Sequence, residues 1–230
     1  MERVLVLLRH GHSEWNLSDR FTGWTDIPLT EVGLAEGAAA GRRLAEAGYR
    51  FDEVHVSVLQ RTRQTAAVVL AAMGTPDVPV QASWRLNERH YGALQGMNKR
   101  EIFATWGEAE SRKWWRGYYT PPPQVAMDDP RHPRFDPRYA ALSAEELPAG
   151  ESLQDCQRRM LPYWREVLEP RLRAGRRLLV VSHGNTLRGL VMHIEGLSAE
   201  AMEHVEIASG VPLVYRFAPD LAWESKAWLA

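Results

Sequence analysis

Val4-Leu5-Val6-Leu7-Leu8-Arg9-His10-Gly11 opens with an unbroken aliphatic run and stops abruptly at a cation, an imidazole and a glycine. Apolar residues without alternation are the pattern of a strand buried on both faces, as in a parallel sheet covered by helices. The same grammar returns far along the chain in Leu178-Leu179-Val180-Val181-Ser182-His183-Gly184. Between and around these two stretches, strand-like and helix-like segments alternate. An Ala-rich stretch from Leu29 to Ala47 has helical spacing, with Thr30 as N-cap and Gly48 as stop. Val54 to Val58 reads as a buried strand, Gln60 to Met73 as a helix closed by Gly74, and Pro79 to Leu86 as an extended segment. Ser152 to about Arg173 reads as a helix ended by Gly175, Thr186 to about Glu195 as another, and Ala199 to Val205 as a short one before a last strand, Val211 to Phe217. Such alternation predicts an α/β fold, a mainly parallel sheet flanked by helices and joined by right-handed crossovers.

The middle of the chain breaks this rhythm. Seven of the 14 prolines fall between Pro121 and Pro148, and aromatic residues crowd Trp114 to Tyr119. The expectation is one domain over 1–230 carrying an irregular, Pro-rich lid insertion at about 107–150, because long irregular segments in compact domains usually wall a site.

Composition excludes several classes of function. A formal net charge of -1 argues against a nucleic-acid partner, which usually leaves a basic footprint. The apolar run at Val4 to Leu8 is too short to span a bilayer or serve as a secretory signal, so the expectation is a cytoplasmic protein with no membrane partner. The single Cys156 forms no intramolecular disulfide and fits a reducing compartment. The sequence leaves oligomeric state open, a homo-oligomer included.

Both histidines lie just past the carboxyl end of a strand, the edge at which open α/β sheets bind ligands. A neutral imidazole is a competent nucleophile, and phosphoryl transfer otherwise asks mainly for positioning and cationic stabilisation of the equatorial oxygens. His10 is the candidate nucleophile, with Arg9, Arg61 and His183 to clamp the oxygens through charge-assisted hydrogen bonds. Glu88, in Leu86-Asn87-Glu88-Arg89-His90-Tyr91-Gly92, is a candidate to pass protons to a substrate hydroxyl. His10-x-His12 also has the look of paired metal ligands in some barrels, but the chain offers too few βα units for a barrel.

These residues resemble the histidine phosphatase superfamily, and within it the cofactor-dependent phosphoglycerate mutases. The resemblance rests on Leu8-Arg9-His10-Gly11 with Ser13, Trp15 and Asn16; Phe21-Thr22-Gly23-Trp24; Ser57-Val58-Leu59 with Arg61; the run Leu86 to Gly96 with Asn98-Lys99; His183-Gly184-Asn185; and Gly210 to Tyr215. It implies a ping-pong exchange between 3-phosphoglycerate and 2-phosphoglycerate through phosphorylated His10, primed by 2,3-bisphosphoglycerate and needing no metal. By the same resemblance Glu88 is the general acid and base, and Arg9, Arg61 and His183 surround the transferred group. Ser13, Asn16, Thr22, Gly23, Tyr91, Lys99, Arg116, Gly184 and Asn185 match the substrate-binding set. Ser13 points to the glycolytic mutase branch, since glycine tends to replace it in the branch that mainly makes 2,3-bisphosphoglycerate.

Three positions depart from the family pattern: His12 stands where Glu or Gln is usual, Trp115 where the first of two consecutive arginines is expected, and Gly150 in place of Thr. The loss of a cation at Trp115 keeps open a phosphomonoester phosphatase of the same superfamily, with water as acceptor, and a non-catalytic sensor of phosphate ligands.

Overall fold

The computed structural model describes residues 2–230. In chain order the elements are β1 (Arg3–Arg9), α1 (Glu14–Leu17), α2 (Glu31–Glu46), β2 (Glu53–Val56), α3 (Gln60–Ala72), β3 (Val80–Ala82), α4 (Lys99–Trp106), α5 (Glu108–Trp115), α6 (Leu153–Tyr163), α7 (Glu169–Arg173), β4 (Leu178–Ser182), α8 (Gly184–Glu195), α9 (Ala199–Glu203), β5 (Leu213–Phe217) and β6 (Trp223–Trp228). The strands form one sheet in the order β3-β2-β4-β1-β5-β6. β3, β2, β4 and β1 pair in parallel, whereas β5 runs antiparallel to β1 and β6 antiparallel to β5.

The unbroken apolar runs are explained by two cores. Leu5, Leu7, Leu178 and Val180 face one side with residues of α6 and α8. Val4, Val6, Leu8, Leu179 and Val181 face the other with residues of α2 and α3. Successive strand side chains point to opposite faces, so burial on both sides forbids the polar alternation of a half-exposed strand.

The pairing of β1 with β4 decides where the chemistry sits. Arg9 lies opposite Ser182 in the parallel register, so His10 and His183 emerge side by side at one sheet edge. Both strands end there, and α8 starts at once.

Four segments differ from the sequence reading. The helix after His183 begins at Gly184, with His183 itself as N-cap. The segment from Ser152 to Arg173 is α6, then a π-helical turn at Trp164–Leu168, then α7. Pro162 and Pro170 flank that turn, and each removes a backbone donor from the ladder. Two short helices, α4 and α5, stand where the sequence showed no clear period, so the irregular part of the 107–150 insertion begins only after Trp115. Finally, β6 extends the sheet beyond the expected last strand; all six of its residues are exposed, so it carries no apolar face to betray it.

Candidate active site

Backbone packing holds the first histidine. The amide of His10 donates to the Ser182 carbonyl at 3.0 Å, tying it to the end of β4. A Cβ on Gly11 would stand 2.2 Å from the Gly33 carbonyl oxygen, and one on Gly33 would stand 2.1 Å from the His12 carbonyl oxygen. The first turn of α2 and the loop after β1 therefore touch through bare backbone, which is why both positions are glycine.

The His10 ring is 4% exposed, and its Nδ1 lies 2.7 Å from the Gly11 carbonyl oxygen. A carbonyl only accepts, so Nδ1 carries the proton and Nε2 keeps its lone pair. Burial, then the nearby Arg61 and Arg9 charges, hold the imidazole well below its usual pKa and so neutral. His183 is arranged differently, although the two ring centroids are only 5.0 Å apart. Arg61 Nε donates to His183 Nδ1 at 3.2 Å, which leaves His183 Nε2–H to meet Ser57 Oγ at 2.8 Å. Burial, then Arg61 and His10, keep His183 neutral as well.

Arg61 projects from the first turn of α3 and is 1% exposed. Its other nitrogens donate to the carbonyls of Thr25 at 2.9 Å and Gly23 at 2.8 Å, and burial pushes its pKa down to about 10. It thereby fixes the loop that carries Thr22 and Gly23. Gly23 has φ +55, and a Cβ there would sit 2.1 Å from Gln95 Oε1, so no other residue fits without a shift. Arg9 donates to the Ile207 carbonyl at 3.0 Å, while its buried Nε has no partner among the described residues.

Glu88 leaves an irregular stretch between two short 3₁₀ turns, Trp84–Leu86 and Gly92–Leu94. Its Oε1 accepts from the backbone amides of Arg89 at 2.8 Å and Asn185 at 3.2 Å. Its Oε2 takes no hydrogen bond from any described residue, and Glu88 forms no ion pair among them. Asn185 Nδ2 donates to the Tyr91 hydroxyl at 3.0 Å, which closes the ring of contacts from α8 back to the Glu88 segment.

These groups surround a pocket of about 170 Å³. Of the residues expected from the sequence, Arg9, His10, Asn16, Thr22, Gly23, Arg61, Glu88, Tyr91, Lys99, Arg116, Gly184 and Asn185 line it. Ser13 and His183 do not; both are fully buried behind the wall. Ser13 caps α1 and hydrogen-bonds Asn16, so it acts on the pocket through its neighbour.

Trp115 lines the pocket too, where the sequence places a lost cation of the substrate site; Arg20, Phe21, Arg188, Glu206 and Ile207 line it without having been singled out as site residues. A helical spacing of three from Asn185 was the available signal for Arg188. Arg188 is 3% exposed, has an unpartnered Nε, and is pushed down to about 10 by burial, then by Arg116 and Arg89. Glu206 offered no signal; it reaches the wall by pairing with Arg116 at 2.9 Å.

The lining holds six cations, Arg9, Arg20, Arg61, Lys99, Arg116 and Arg188, against two carboxylates, in a chain of net charge -1. Such an excess, with buried guanidinium donors left unpaired, suits a small polyanion. Among the described residues no group of three or more His, Cys, Asp and Glu side chains is placed to hold a metal ion. No described helix is long and apolar enough to cross a membrane.

The three departures resolve into separate environments. His12 turns to Glu36 on α2, with Nδ1 2.7 Å from Oε1, and does not line the pocket. Trp115 packs on the cluster of Phe21, Tyr91 and Trp114, and the Arg116 guanidinium stacks 4.7 Å from its ring. Gly150 is not among the residues with positive φ, and a Cβ there would sit 3.3 Å from the Pro122 carbonyl oxygen, a contact that needs the neighbour to give slightly. The stretch from Pro130 to Tyr139 lines a different cavity, with Trp24, Asp26 and Gln95. Only Trp115 and Arg116 bring the 107–150 insertion to the catalytic pocket.

Comparison with known proteins agrees with this geometry. Residues 5–131 and 126–228 match the histidine phosphatase superfamily, branch 1. The chain is 51% identical over 212 residues to the 2,3-bisphosphoglycerate-dependent phosphoglycerate mutase of Nitratidesulfovibrio vulgaris (strain DSM 19637 / Miyazaki F), covering 92% of this chain and 85% of that protein. Among solved structures it superposes on a mycobacterial protein described as mycobacterial hydrolase 1 with TM-score 0.74 and 22% identity, over 100% of this chain and 99% of the other. A mycobacterial glucosyl-3-phosphoglycerate phosphatase in complex with VO3 gives TM-score 0.72 and 22% identity over 98% and 96%. Two imidazoles at adjacent strand ends, a cationic pocket and a match spanning nearly the whole sequence lead to one assignment: the chain belongs to the histidine phosphatase superfamily.

Proposed function

We propose that this protein interconverts 3-phosphoglycerate and 2-phosphoglycerate through a phosphohistidine at His10. The observation that carries the reading is the His10 ring itself, neutral, with Nδ1–H tied to Gly11 and Nε2 left as the free nucleophile. The relative with the same activity in its name is 51% identical over 92% of this chain, which supports the substrate assignment.

In the forward exchange His10 Nε2 bonds to phosphorus as the phosphorus–oxygen bond to the glycerate breaks. The departing oxygen takes a proton from Glu88, and in the reverse step Glu88 removes a proton from the attacking hydroxyl. Oε2 is the atom for this task, because Oε1 is held by two backbone amides. Arg9 and Arg61 stabilise the equatorial oxygens, and neutral His183 holds the Arg61 guanidinium in place. Asn16, Thr22, Gly23, Tyr91, Lys99, Arg116, Gly184 and Asn185 take the rest of the substrate, with Arg20 and Arg188 as added cations. 2,3-Bisphosphoglycerate fits the same cation-rich lining and supplies the first phosphoryl group. The chain acts as one unit over 1–230, with Trp115 and Arg116 of the 107–150 insertion as part of the wall.

Intact-protein mass spectrometry after incubation with 2,3-bisphosphoglycerate tests this directly. The expected result is one acid-labile phosphoryl group that 3-phosphoglycerate removes. Rapid isomerisation without any such adduct would sink the scheme. Trp115, an indole where the family carries a cation, favours hydrolysis as a second reading; release of inorganic phosphate with and without a phosphoglycerate acceptor separates the two.

A further inference from the structure

The stretch from Trp84 to His90 belongs to no strand or α-helix, so its carbonyls must find donors elsewhere. One side chain supplies most of them. Arg159, on α6, donates to the carbonyls of Trp84 at 3.2 Å, Arg85 at 2.9 Å, Asn87 at 3.1 Å and Glu88 at 3.0 Å. Arg159 does not line the catalytic pocket and is 8% exposed. Its charge is balanced by Glu151, with Nε 2.6 Å from Oε1 and a terminal nitrogen 3.0 Å from Oε2. Glu151 is also tied to the stretch, since it accepts from the His90 amide and donates its own amide to the His90 carbonyl, each at 2.8 Å. A second donor meets the Glu88 carbonyl, Trp24 Nε1 at 2.6 Å, and the Arg159 guanidinium lies over the Trp24 ring, 5.3 Å from its centroid.

Glu88 Oε1 is itself held only by backbone amides, those of Arg89 and Asn185. The direction of the free Oε2 therefore depends on the peptide path of this stretch; Ser182 Oγ and Thr186 Oγ1 hold the Leu86 and Asn87 carbonyls, and the Arg159 fork spans the carbonyls on both sides of them, up to Glu88 itself. We infer that Arg159, together with Glu151 and Trp24, is a positioning residue for proton transfer by Glu88, an inference that rests on the proposed acid–base role of Glu88. Lysine cannot replace it, because a compact ammonium has three donors and cannot fork across four carbonyls and a carboxylate.

The test pairs a substrate that needs a general acid with one that does not. An aryl phosphate such as p-nitrophenyl phosphate releases a stable phenolate, so its transfer to His10 asks little of Glu88. Arg159→Lys is expected to lower kcat for phosphoglycerate exchange by about 10- to 100-fold, since small misplacements of a reacting group cost that much. KM for 3-phosphoglycerate and turnover of the aryl phosphate are expected to stay within about threefold of the parent protein. In a Glu88→Gln background, Arg159→Lys is expected to cost little more, because the group it positions is already gone.

Equal losses on both substrates, or a full further loss in the Glu88→Gln background, would overturn the inference and leave Arg159 a general structural residue. Phosphoglycerate exchange by Glu88→Gln at the parent rate would overturn the acid–base reading first, and the inference with it. Should Arg159→Lys lack a cooperative thermal transition, Trp24→Phe removes one donor from the same carbonyl and is expected to show the same substrate split in weaker form.

Discussion

The ends of β1 and β4 carry the same motif and do different things. Each is an apolar strand leading into a histidine and a glycine, and the parallel register sets the two imidazoles beside each other. Yet His10 presents a free ring nitrogen to the pocket, whereas both ring nitrogens of His183 are engaged by Arg61 and Ser57 behind its wall. The difference arises from the structure into which each strand runs. After β1 the chain turns through a loop packed on α2, and the ring meets a carbonyl of its own loop. After β4 a helix begins immediately, so His183 becomes an N-cap whose ring points into a polar cluster at the start of α3. One imidazole keeps a ring nitrogen free, and the other has both engaged.

The largest effect that would test this contrast is at the nucleophile. His10→Ala is expected to abolish both exchange and hydrolysis, roughly 10⁴-fold or more, with the thermal transition preserved, because no other group can form the covalent intermediate. Retained exchange in a stopped assay would break the contrast outright. His183→Ala is expected to cost less in activity, about 10²-fold, and to destabilise the fold by about 2 kcal/mol through the lost contacts to Ser57 and Arg61. If it matched His10→Ala in activity and left stability unchanged, His183 would belong with the nucleophile after all.

A third expectation concerns acid. His55 and His90 are fully buried and held by burial at about 4 and about 3, and His10 and His183 lie well below their usual value too. The unfolded chain takes up protons near pH 6.5 that the folded chain refuses, so stability is intact above that pH and falls as the pH drops below it. For His55 alone the loss between pH 6.5 and 4 is on the order of 3 kcal/mol. Denaturant titrations on His55→Phe should show a shallower decline over that window; an unchanged slope would remove His55 from the account.

The smallest effect is expected at the departure that looks most severe in the sequence. Trp115→Arg should change KM for 3-phosphoglycerate by less than about threefold, because Arg20, Lys99, Arg116 and Arg188 already charge the wall. It should cost about 1 kcal/mol of stability as the indole leaves Phe103 and the Arg116 guanidinium. A tenfold fall in KM would mean that the missing cation matters.

Much of this was legible because the decisive strands are buried on both faces and their apolar runs cannot be confused with surface. Twelve of the expected site residues line one pocket because short motifs fall at strand ends that the register brings together. The elements that stayed hidden did so for physical reasons. β6 is wholly exposed and shows no run of buried apolar residues, α4 and α5 are two-turn helices with little periodicity to read, and the π-turn near Trp164 answers to prolines on either side. Arg159 was invisible as a contributor because, Glu151 apart, its main partners are backbone carbonyls, which every residue has. Ser13 and His183, which the motifs also single out, are fully buried and stand outside the pocket lining.

Gly33 has a further consequence for anyone seeking a hardier version of this protein. Helix propensity recommends alanine in the first turn of α2, a gain of about 1 kcal/mol in an open helix. Here the added methyl would press on the His12 carbonyl two residues from the nucleophile, at 2.1 Å. Stabilisation schemes that score each helix by itself would select Gly33→Ala, and the change should raise neither Tm nor activity but lower both. The close packing that serves catalysis thus narrows the sequence space open to engineering, at a site with no contact to substrate.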